Sequence, residues 1–329
     1  MKNYLETSGN FECFRTGGRD NKYTVLTLLN LRTAAIILAA IVGWAASPAP
    51  CQDVSATTNS VRFVQISDVH MVGFTREGER ICPRLPAIAW WYHSRRYDLM
   101  GYLLPRAIKQ LDAEFKPDFF IFTGDLLENG ADGHGPEDLR QFLEVVREST
   151  DKPAHFVYGN HDGPVKQWET ICGPANYSFV TRNVVFAVIN SGGCNPKKEV
   201  PGAAEAPALL DKVMTEAAGR RLIMFAHLLT VPGDKPGYSM LRAAEVRGRL
   251  EQYPQTAAVI NGHYHAGKRA ETNGIHYFTA RAFCQSPFCC YAFELTASRL
   301  ICTPYKFGGR KKGFVSQPPI FMPLRNAVP

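Results

Sequence analysis

The sequence predicts an α/β fold, and three observations support this prediction. First, short runs rich in β-branched and aromatic residues alternate with longer segments of helical spacing from Val61 onward. Second, the chain of 329 residues is 45% hydrophobic, which is enough for one large domain or two modest ones with a core. Third, polar side chains that can bind metal ions follow the ends of predicted strands, where open α/β sheets bind their ligands.

The first 46 residues are expected to lie outside this fold, as a signal peptide or an N-terminal anchor. A charged flank ends at Arg32, a run of roughly a dozen apolar residues follows, and small residues come after it. The run is short for a membrane span of about 20 residues, so a cleaved signal is favoured and an anchor is the alternative. We therefore expect an exported protein, periplasmic or extracellular, with a linker over 47–60 and possible membrane association through the N-terminus.

The elements of the domain follow in order from residue 61 to residue 305, with a C-terminal tail over 306–329. Val61, Phe63 and Ile66 suit a buried strand, and Pro136 stands near the first position of a helix. Pro105 is expected to kink its helix or to start the second half of it. Strands are predicted at 61–66, 118–123, 154–158, 184–189, 221–226, 257–260, 275–279, 291–295 and 300–305, and helices at 98–115, 136–149, 205–218 and 238–251.

Charge and cysteine usage exclude some classes of protein. The net charge of +7 is spread along the chain, which favours anionic ligands, and no basic run is long enough to indicate nucleic-acid binding. The nine cysteines include no C-x-x-C pair, which argues against a zinc knuckle. They can form disulfides in an exported protein or serve as small buried hydrophobic residues, and both readings stay open. Nothing in the sequence indicates an oligomeric state.

Seven residues of metal-ligand type follow predicted strand ends. Each has an ordinary explanation alone, because Gly-Asp is common in turns and a single histidine is usually packed or exposed. Asp68 and His70 stand two apart, and in an extended segment such side chains point the same way and can reach one ion. The mixture of imidazole, carboxylate and amide groups suits Zn, Mn or Fe. The seven residues are Asp68, His70, Asp125, Asn160, His227, His263 and His265.

Five blocks of the sequence, taken in order, resemble a known family. The blocks are Asp68-x-His70, Gly124-Asp125, Gly159-Asn160-His161-Asp162, His227 and Gly262-His263-x-His265. They resemble the calcineurin-like metallophosphoesterase family over about residues 61–305. The resemblance implies a two-sheet β-sandwich flanked by helices, with two metal ions at the carboxyl ends of the strands. It also implies the division of ligands: Asp68, His70 and His265 for one ion, Asn160, His227 and His263 for the other, and Asp125 as the bridge between them.

The resemblance further implies a hydrolase for phosphoesters. Two such ions can bind phosphate oxygens and supply hydroxide at neutral pH. The substrate would be a small anionic phosphodiester or monoester, including nucleotide or lipid esters. His161 would contact the phosphoryl group or protonate the leaving oxygen, and Asp162 would either orient its imidazole or serve only as a turn residue. Glu128 stands where purple acid phosphatases have a tyrosine, which argues against an iron–tyrosinate centre.

An aromatic and basic segment between the first two blocks is a candidate for substrate selection. Trp90, Trp91, Arg95 and Arg96 would form a lip that stacks on and pairs with an organic group attached to phosphate. The alternative is a helix that packs its aromatic side on the core. Two other functions stay open: a catalytically silent scaffold of the same fold, and a membrane-anchored binding protein.

Overall fold

The computed structural model describes residues 60–77, 80–83, 94–192, 200–231 and 237–325. The strands in this part of the chain are β1 (Val61–Ile66), β2 (Phe74–Glu77), β3 (Arg80–Pro83), β4 (Phe119–Phe122), β5 (Ala154–Phe156), β6 (Tyr177–Thr181), β7 (Val184–Ile189), β8 (Arg221–Ala226), β9 (Thr256–Asn261), β10 (Ala266–Thr272), β11 (Ile275–Arg281), β12 (Cys289–Leu295), β13 (Arg299–Phe307), β14 (Phe314–Ser316) and β15 (Ile320–Pro323). The helices are α1 (Tyr97–Phe115), α2 (Gly135–Arg147), α3 (Val165–Cys172), α4 (Ala206–Ala217) and α5 (Ala243–Gln252).

Two mixed sheets form the body of the fold. The first has the order β14-β13-β12-β1-β4-β5, with β15 also paired to β13, and the second has the order β10-β11-β9-β8-β7-β6. Strands β1, β4 and β5 run parallel in the first sheet, as do β7, β8, β9 and β11 in the second. Because the carboxyl ends of parallel strands lie at one edge of a sheet, each sheet presents several strand ends on the same side.

The core between the sheets is built largely from phenylalanine. Phe63 of β1 stacks on Phe119 of β4 and on Phe293 of β12, with ring centroids 5.2 and 5.0 Å apart. It also meets Phe186 and Phe225 of the second sheet edge to face. These geometries are favourable for aromatic rings and bind the two sheets together.

Helices cover the outer face of each sheet. Next to Phe63, Val64 points the other way and packs with Leu104 of α1 and Phe142 of α2. On the second sheet, Ala187 packs with Leu210 of α4. Strands β4 and β7 are buried on both faces and consist of apolar residues throughout instead of alternating with polar ones, which is why they could be found in the sequence.

The predicted two-sheet sandwich flanked by helices is confirmed. Helix α1 continues through Pro105, and α5 begins at Ala243 and so lacks the first five residues expected for it. The sequence missed β2, β3, β6, β10 and α3. Of these, β6 and β10 are edge strands, and the charged residues of β10 hide any apolar pattern in it.

The expected tail after residue 305 was wrong. Strands β14 and β15 both pair with β13, so this segment extends the first sheet. Phe314, Met322 and Leu324 are buried, and the apolar surface they remove from water explains why the segment is part of the domain.

Most residues before the domain lie outside the described ranges, which begin at residue 60. The predicted signal or anchor over 1–46 and the linker over 47–60, its last residue excepted, therefore stay predictions. In the part of the chain that is described, none of the helices has the length and hydropathy needed to cross a membrane. Five described cysteines carry free thiols: Cys172, Cys284, Cys289, Cys290 and Cys302. All of these except Cys172 are buried, as small hydrophobic residues would be.

Candidate metal centre

The loops that follow β1, β4, β5, β8 and β9 meet at one edge of the sandwich. Backbone hydrogen bonds join the first two of these loops: the amide of Asp68 donates to the carbonyl of Gly124 at 3.1 Å, and the amide of His70 to the carbonyl of Asp125 at 2.9 Å. The amide of Gly262 donates to the carbonyl of His227 at 3.1 Å. The strand ends of both sheets thus bring all seven predicted ligands to one place.

Four of the seven ligands have a left-handed backbone. The φ angles are +53° at Asp68, +48° at His70, +51° at Asp125 and +67° at His263. The expectation that Asp68 and His70 lie in an extended segment was therefore wrong, since β1 ends at Ile66. Such angles are uncommon outside glycine and cluster at functional sites, where the surrounding hydrogen bonds hold them. Here the chain turns sharply after the strand, and the turn aims the side chains at the centre.

Two glycines of the sequence blocks allow the loops to approach this closely. A Cβ atom at Gly124, whose φ is +87°, would lie 2.4 Å from Nδ1 of His227. One at Gly159 would lie 2.1 Å from the backbone nitrogen of Asp125. Each glycine therefore provides the space in which another loop carries a ligand.

The first ligand group consists of Asp68, His70 and His265. Nε2 of His70 lies 3.3 Å from Nε2 of His265, which in turn lies 3.4 Å from Oδ1 of Asp68. The backbone amide of His263 donates to the carboxylate of Asp68 at 3.0 Å and fixes its direction. The thiol of Cys284 lies within 4.8 Å of ligand nitrogens of His70 and His265, a neighbour that the sequence did not indicate.

The second ligand group consists of Asn160, His227 and His263. Nε2 of His227 lies 3.1 Å from Oδ1 of Asn160, and the ring centroid of His227 is 5.1 Å from that of His263. Burial lowers the pKa of His263 to about 4, so its ring is neutral at pH 7, as a ligand must be.

Asp125 lies between the two groups. Its Oδ2 is 3.6 Å from Nε2 of His70, and its Oδ1 is 3.2 Å from Nε2 of His227. The carboxylate is buried, and the neighbouring histidines keep its pKa well below the usual range despite that burial. One carboxylate therefore faces both groups, the position of a bridging ligand.

The donor atoms fit two metal ions of the Zn, Mn or Fe type. Imidazole nitrogens face carboxylate oxygens at 3.2–3.6 Å, and Nε2 of His70 lies 3.3 Å from Nε2 of His265, so nitrogen and oxygen donors converge from several loops. The nitrogen and oxygen set excludes an all-sulfur structural zinc site and disfavours an all-oxygen calcium site. The residues that would hold one ion are Asp68, His70 and His265, those that would hold the other are Asn160, His227 and His263, and Asp125 would contact both.

Two imidazoles are oriented through the nitrogen that faces away from the centre. Nδ1 of His70 donates to Oε2 of Glu128 at 2.8 Å, and Nδ1 of His227 donates to the carbonyl of Thr123 at 2.8 Å. In both rings this leaves Nε2 directed at Asp125. Burial lowers the pKa of His70 even though Glu128 acts to raise it. Burial also acts to lower the pKa of His227, but Asp125 outweighs it and raises the value to about 10, so a metal ion bound at Nε2 would have to displace a proton from this ring.

His161 and Asp162, the predicted catalytic residues, take different positions. Nδ1 of His161 donates to the backbone carbonyl of Glu128 at 2.7 Å, so Nε2 is the nitrogen that can exchange a proton with a substrate. Asp162 accepts the amides of Leu127 and Gly159 at 3.0 and 2.9 Å. The predicted orientation of His161 by Asp162 is therefore corrected: Asp162 joins two loops, and Glu128 orients His161.

The predicted substrate residues are only partly described. Trp90 and Trp91 lie outside the described ranges. Arg95 does not extend outward as expected, because its guanidinium donates to the carboxylate of Glu128 beside His70. Arg96 pairs with Asp98 in the first turn of α1.

The sequence missed two aromatic residues at the rim of the centre, Tyr238 and Tyr264. Their ring centroids lie 5.2 Å apart, and the ring of Tyr238, which is 39% exposed, lies 5.6 Å from that of His263. The sequence could have indicated Tyr264, because it stands between His263 and His265 in the last block.

The fold is that of an α/β protein with two sheets flanked by helices. Its candidate two-metal centre has one carboxylate, Asp125, between two ligand groups. The chain belongs to the calcineurin-like phosphoesterase family, because the sequence model of that family matches residues 61–267, more than half of the chain. The predicted family is thereby confirmed.

Individual relatives are more distant. A probable glycerophosphodiester phosphodiesterase of Arcobacter nitrofigilis is 26% identical over 179 residues, which cover 50% of this chain and 63% of the relative. The chain thus covers less than two thirds of that relative's length.

Solved structures show the fold. A dimetal phosphatase of Danio rerio matches with a TM-score of 0.59 and 16% identity, over 80% of this chain and 99% of that one. The inner membrane complex anchor GAP50 of Plasmodium matches with a TM-score of 0.54 and 14% identity, over 81% and 90% of the two chains. One neighbour is described as a phosphatase and the other as an anchor, so the fold alone does not establish catalysis.

Proposed function

We propose that this protein is a metal-dependent hydrolase of small anionic phosphoesters, with phosphodiesters preferred over monoesters. The observation that carries the proposal is the position of Asp125, whose two carboxylate oxygens face one ligand group each. Bound metal ions would supply positive charge for the phosphate oxygens and a nucleophile at neutral pH. Mn, Fe and Zn are the candidate ions.

The residues of the chain have separate parts in this reaction. Asp68 and Asp125 contribute two negative charges, so two divalent ions would leave the centre positive and attractive to an anionic ester. His161 shares its loop with Asn160, and its backbone amide donates to Oδ1 of Asp125 at 2.9 Å. The ring centroid of His161 lies 4.9 Å from that of His70, which supports a role for its Nε2 in protonating the leaving oxygen.

The preference for diesters is supported by the Arcobacter nitrofigilis relative, a probable glycerophosphodiester phosphodiesterase. The aromatic pair of Tyr238 and Tyr264 supports an organic substituent on the phosphate, because flat rings at the rim can stack on it. Trp90 and Trp91 stay candidates for the same contact.

The proposal is tested on metal-reconstituted protein. We expect about two metal ions per chain by elemental analysis and faster hydrolysis of bis-p-nitrophenyl phosphate than of p-nitrophenyl phosphate. Cyclic nucleotides and glycerophosphodiesters would complete the substrate panel. Full activity in a chelated, metal-free sample, or two bound metals without turnover on any ester, would contradict the proposal, and the latter result would favour a scaffold.

We further propose that the protein is exported, on the charged flank and apolar run before residue 47. N-terminal sequencing of the mature protein from its host tests this. A new N-terminus after the apolar run supports a cleaved signal, whereas retention of residues 33–46 supports an anchor.

A further inference from the structure

We infer that Glu128 is a positioning residue that orients two histidines at once, His70 through its side chain and His161 through its main chain, and that Arg95 holds its carboxylate in place. The inference rests on the proposed function for its catalytic meaning, but its geometry can be tested separately.

The contact to His70 fixes which nitrogen faces the centre. The ring of His70 is fully buried, so its N–H needs an acceptor within the protein. Nδ1 lies 2.8 Å from Oε2 of Glu128, while Nε2 lies 3.6 Å from Oδ2 of Asp125. When Nδ1 carries the proton and donates to Glu128, Nε2 presents its lone pair to the centre. A carboxylate behind a ligating histidine is a known way to fix the tautomer and the ring direction.

Arg95 fixes the carboxylate itself. Its guanidinium donates to the same oxygen of Glu128 that accepts from His70. The segment that carries Arg95 is held by main-chain contacts: it pairs with Gln285, and the amide of Arg96 donates to the carbonyl of Cys284 at 2.8 Å. Arg95 is thus attached to the loop that carries Cys284, the neighbour of His70 and His265.

The main chain of Glu128 serves His161. Its amide donates to the carbonyl of Met71 at 3.1 Å, which ties it to the loop of His70. Its carbonyl accepts Nδ1 of His161 at 2.7 Å. Because a carbonyl is present whatever the side chain, a substitution at position 128 should disturb His70 and spare His161.

A matched pair of double variants isolates the side-chain contact. Glu128→Ala with Arg95→Met removes the acceptor, and Glu128→Gln with Arg95→Met keeps an acceptor oxygen at the same reach. Both variants remove one negative and one positive charge, so they differ in the acceptor and not in net charge. Glu144→Ala, on the exposed surface of α2, controls for the loss of a glutamate.

The first measurement is the affinity for Co²⁺ by chelator competition. We expect the alanine double variant to bind one Co²⁺ ion, the one that Asp68, His70 and His265 would hold, about 10–100-fold less tightly, the range for residues that orient a metal ligand. The glutamine double variant should stay within about threefold of the wild type if its oxygen restores the contact. Glu144→Ala should be unchanged.

The second measurement is the tautomer of His70 in metal-free protein, by long-range ¹H–¹⁵N NMR. The wild type and the glutamine double variant should show a proton on Nδ1, and the alanine double variant should lose this preference.

The third measurement is the ratio of rates on a nitrophenyl ester and an alkyl ester, which reports on His161 and should be equal in all four proteins.

Equal Co²⁺ affinity and an equal His70 tautomer in the two double variants would overturn the inference, as would a change in the ester ratio confined to the alanine variant. If the alanine variant does not fold, the glutamine variant must still match the wild type in tautomer and affinity, and failure to do so also overturns the inference. Failure of the proposed function looks different: the wild type would bind no metal or hydrolyse no ester, while the tautomer of His70 would still follow the acceptor at position 128.

Discussion

The two halves of the metal centre orient their histidines by different means. On one side, His70 donates to the side chain of Glu128, which Arg95 brings from a separate segment. On the other side, His227 donates to the main-chain carbonyl of Thr123 at the end of β4. Both contacts measure 2.8 Å and both leave Nε2 facing Asp125.

The difference between side-chain and main-chain acceptors decides what evolution or mutagenesis can change. A carbonyl at a strand end is fixed by the sheet and is unaffected by which side chain the residue carries. A carboxylate adds negative charge next to the ring and can be removed by one substitution. The half with His70 is therefore the adjustable half of the centre, and the half with His227 is the constant one.

The largest effect is expected when Asp125 is replaced. Because this residue faces both halves of the centre, its loss should weaken both alike. Asp125→Asn should lower occupancy of both metal positions and reduce kcat/KM by about 10³-fold or more. This exceeds the roughly 10–100-fold effect of residues one step removed from a metal. Elemental analysis and bis-p-nitrophenyl phosphate hydrolysis measure it, with Asp132→Asn on the exposed surface as control. Loss of one metal with the other retained would show that Asp125 does not bridge.

The next prediction concerns His161 and separates proton transfer from metal binding. His161→Asn should slow an alkyl ester by about 10²–10⁴-fold, the usual worth of a general acid, and a nitrophenyl ester far less. A nitrophenolate leaves without protonation, whereas an alkoxide does not. Metal content should match the wild type. Equal losses on both esters would mean that His161 only binds or positions the substrate.

A smaller effect tests the constant half directly. Thr123→Val removes the hydroxyl that accepts from Nε2 of Gln65 at 2.8 Å but keeps the carbonyl that orients His227. Gln65 retains its second partner, the carbonyl of Asn261 at 3.0 Å. We expect a loss of about 1–2 kcal/mol in the free energy of unfolding, the range for a disturbed buried hydrogen bond.

Metal affinity should be unchanged in Thr123→Val, in contrast to the alanine double variant at position 128. Urea titration and Co²⁺ competition measure the two quantities. Thr170→Val, at an exposed position, is the control for stability. A clear fall in Co²⁺ affinity with intact folding would show that the half with His227 also depends on side chains.

The smallest effect is expected for His155, a half-buried histidine outside the centre. His155 stacks on Phe179 with centroids 3.5 Å apart, and burial lowers its pKa to about 4 from an ordinary value of 6.5. The unfolded chain therefore binds a proton that the folded chain does not, and stability falls as the pH falls from 6.5 toward 4.

His155→Phe keeps the stacking and removes this proton. In chelator, the loss of unfolding free energy between pH 7 and pH 5 should be smaller than in the wild type, measured by urea titration at both values. His134→Phe, at an exposed position, should lose as much as the wild type. An unchanged loss in His155→Phe would mean that burial of His155 does not contribute to acid sensitivity.

The sequence was most informative where a strand is buried on both faces. Short continuous apolar runs such as Phe119–Phe122, bounded by turn residues, are typical of interior strands, and the residue after each run then falls at the sheet edge. Edge strands gave weaker signals: β10 carries Lys268, Arg269 and Glu271 and does not show an apolar pattern. The same is true of β14 and β15, whose few buried residues did not reveal that the chain continues the sheet after residue 305.

By itself, the sequence determined the α/β class, the strand ends and the seven residues of metal-ligand type, because these depend on local composition and on residues next to one another in the chain. Tertiary structure alone decided the left-handed turns at Asp68 and His70, the role of Asp162 in joining two loops, and the partnership of Glu128 with His70 and His161. These depend on which loops the two sheets bring into contact. Glu128 and Arg95 are 33 positions apart, and no periodicity in the chain relates them. Only the packing of strand ends at one edge of the sandwich brings them together.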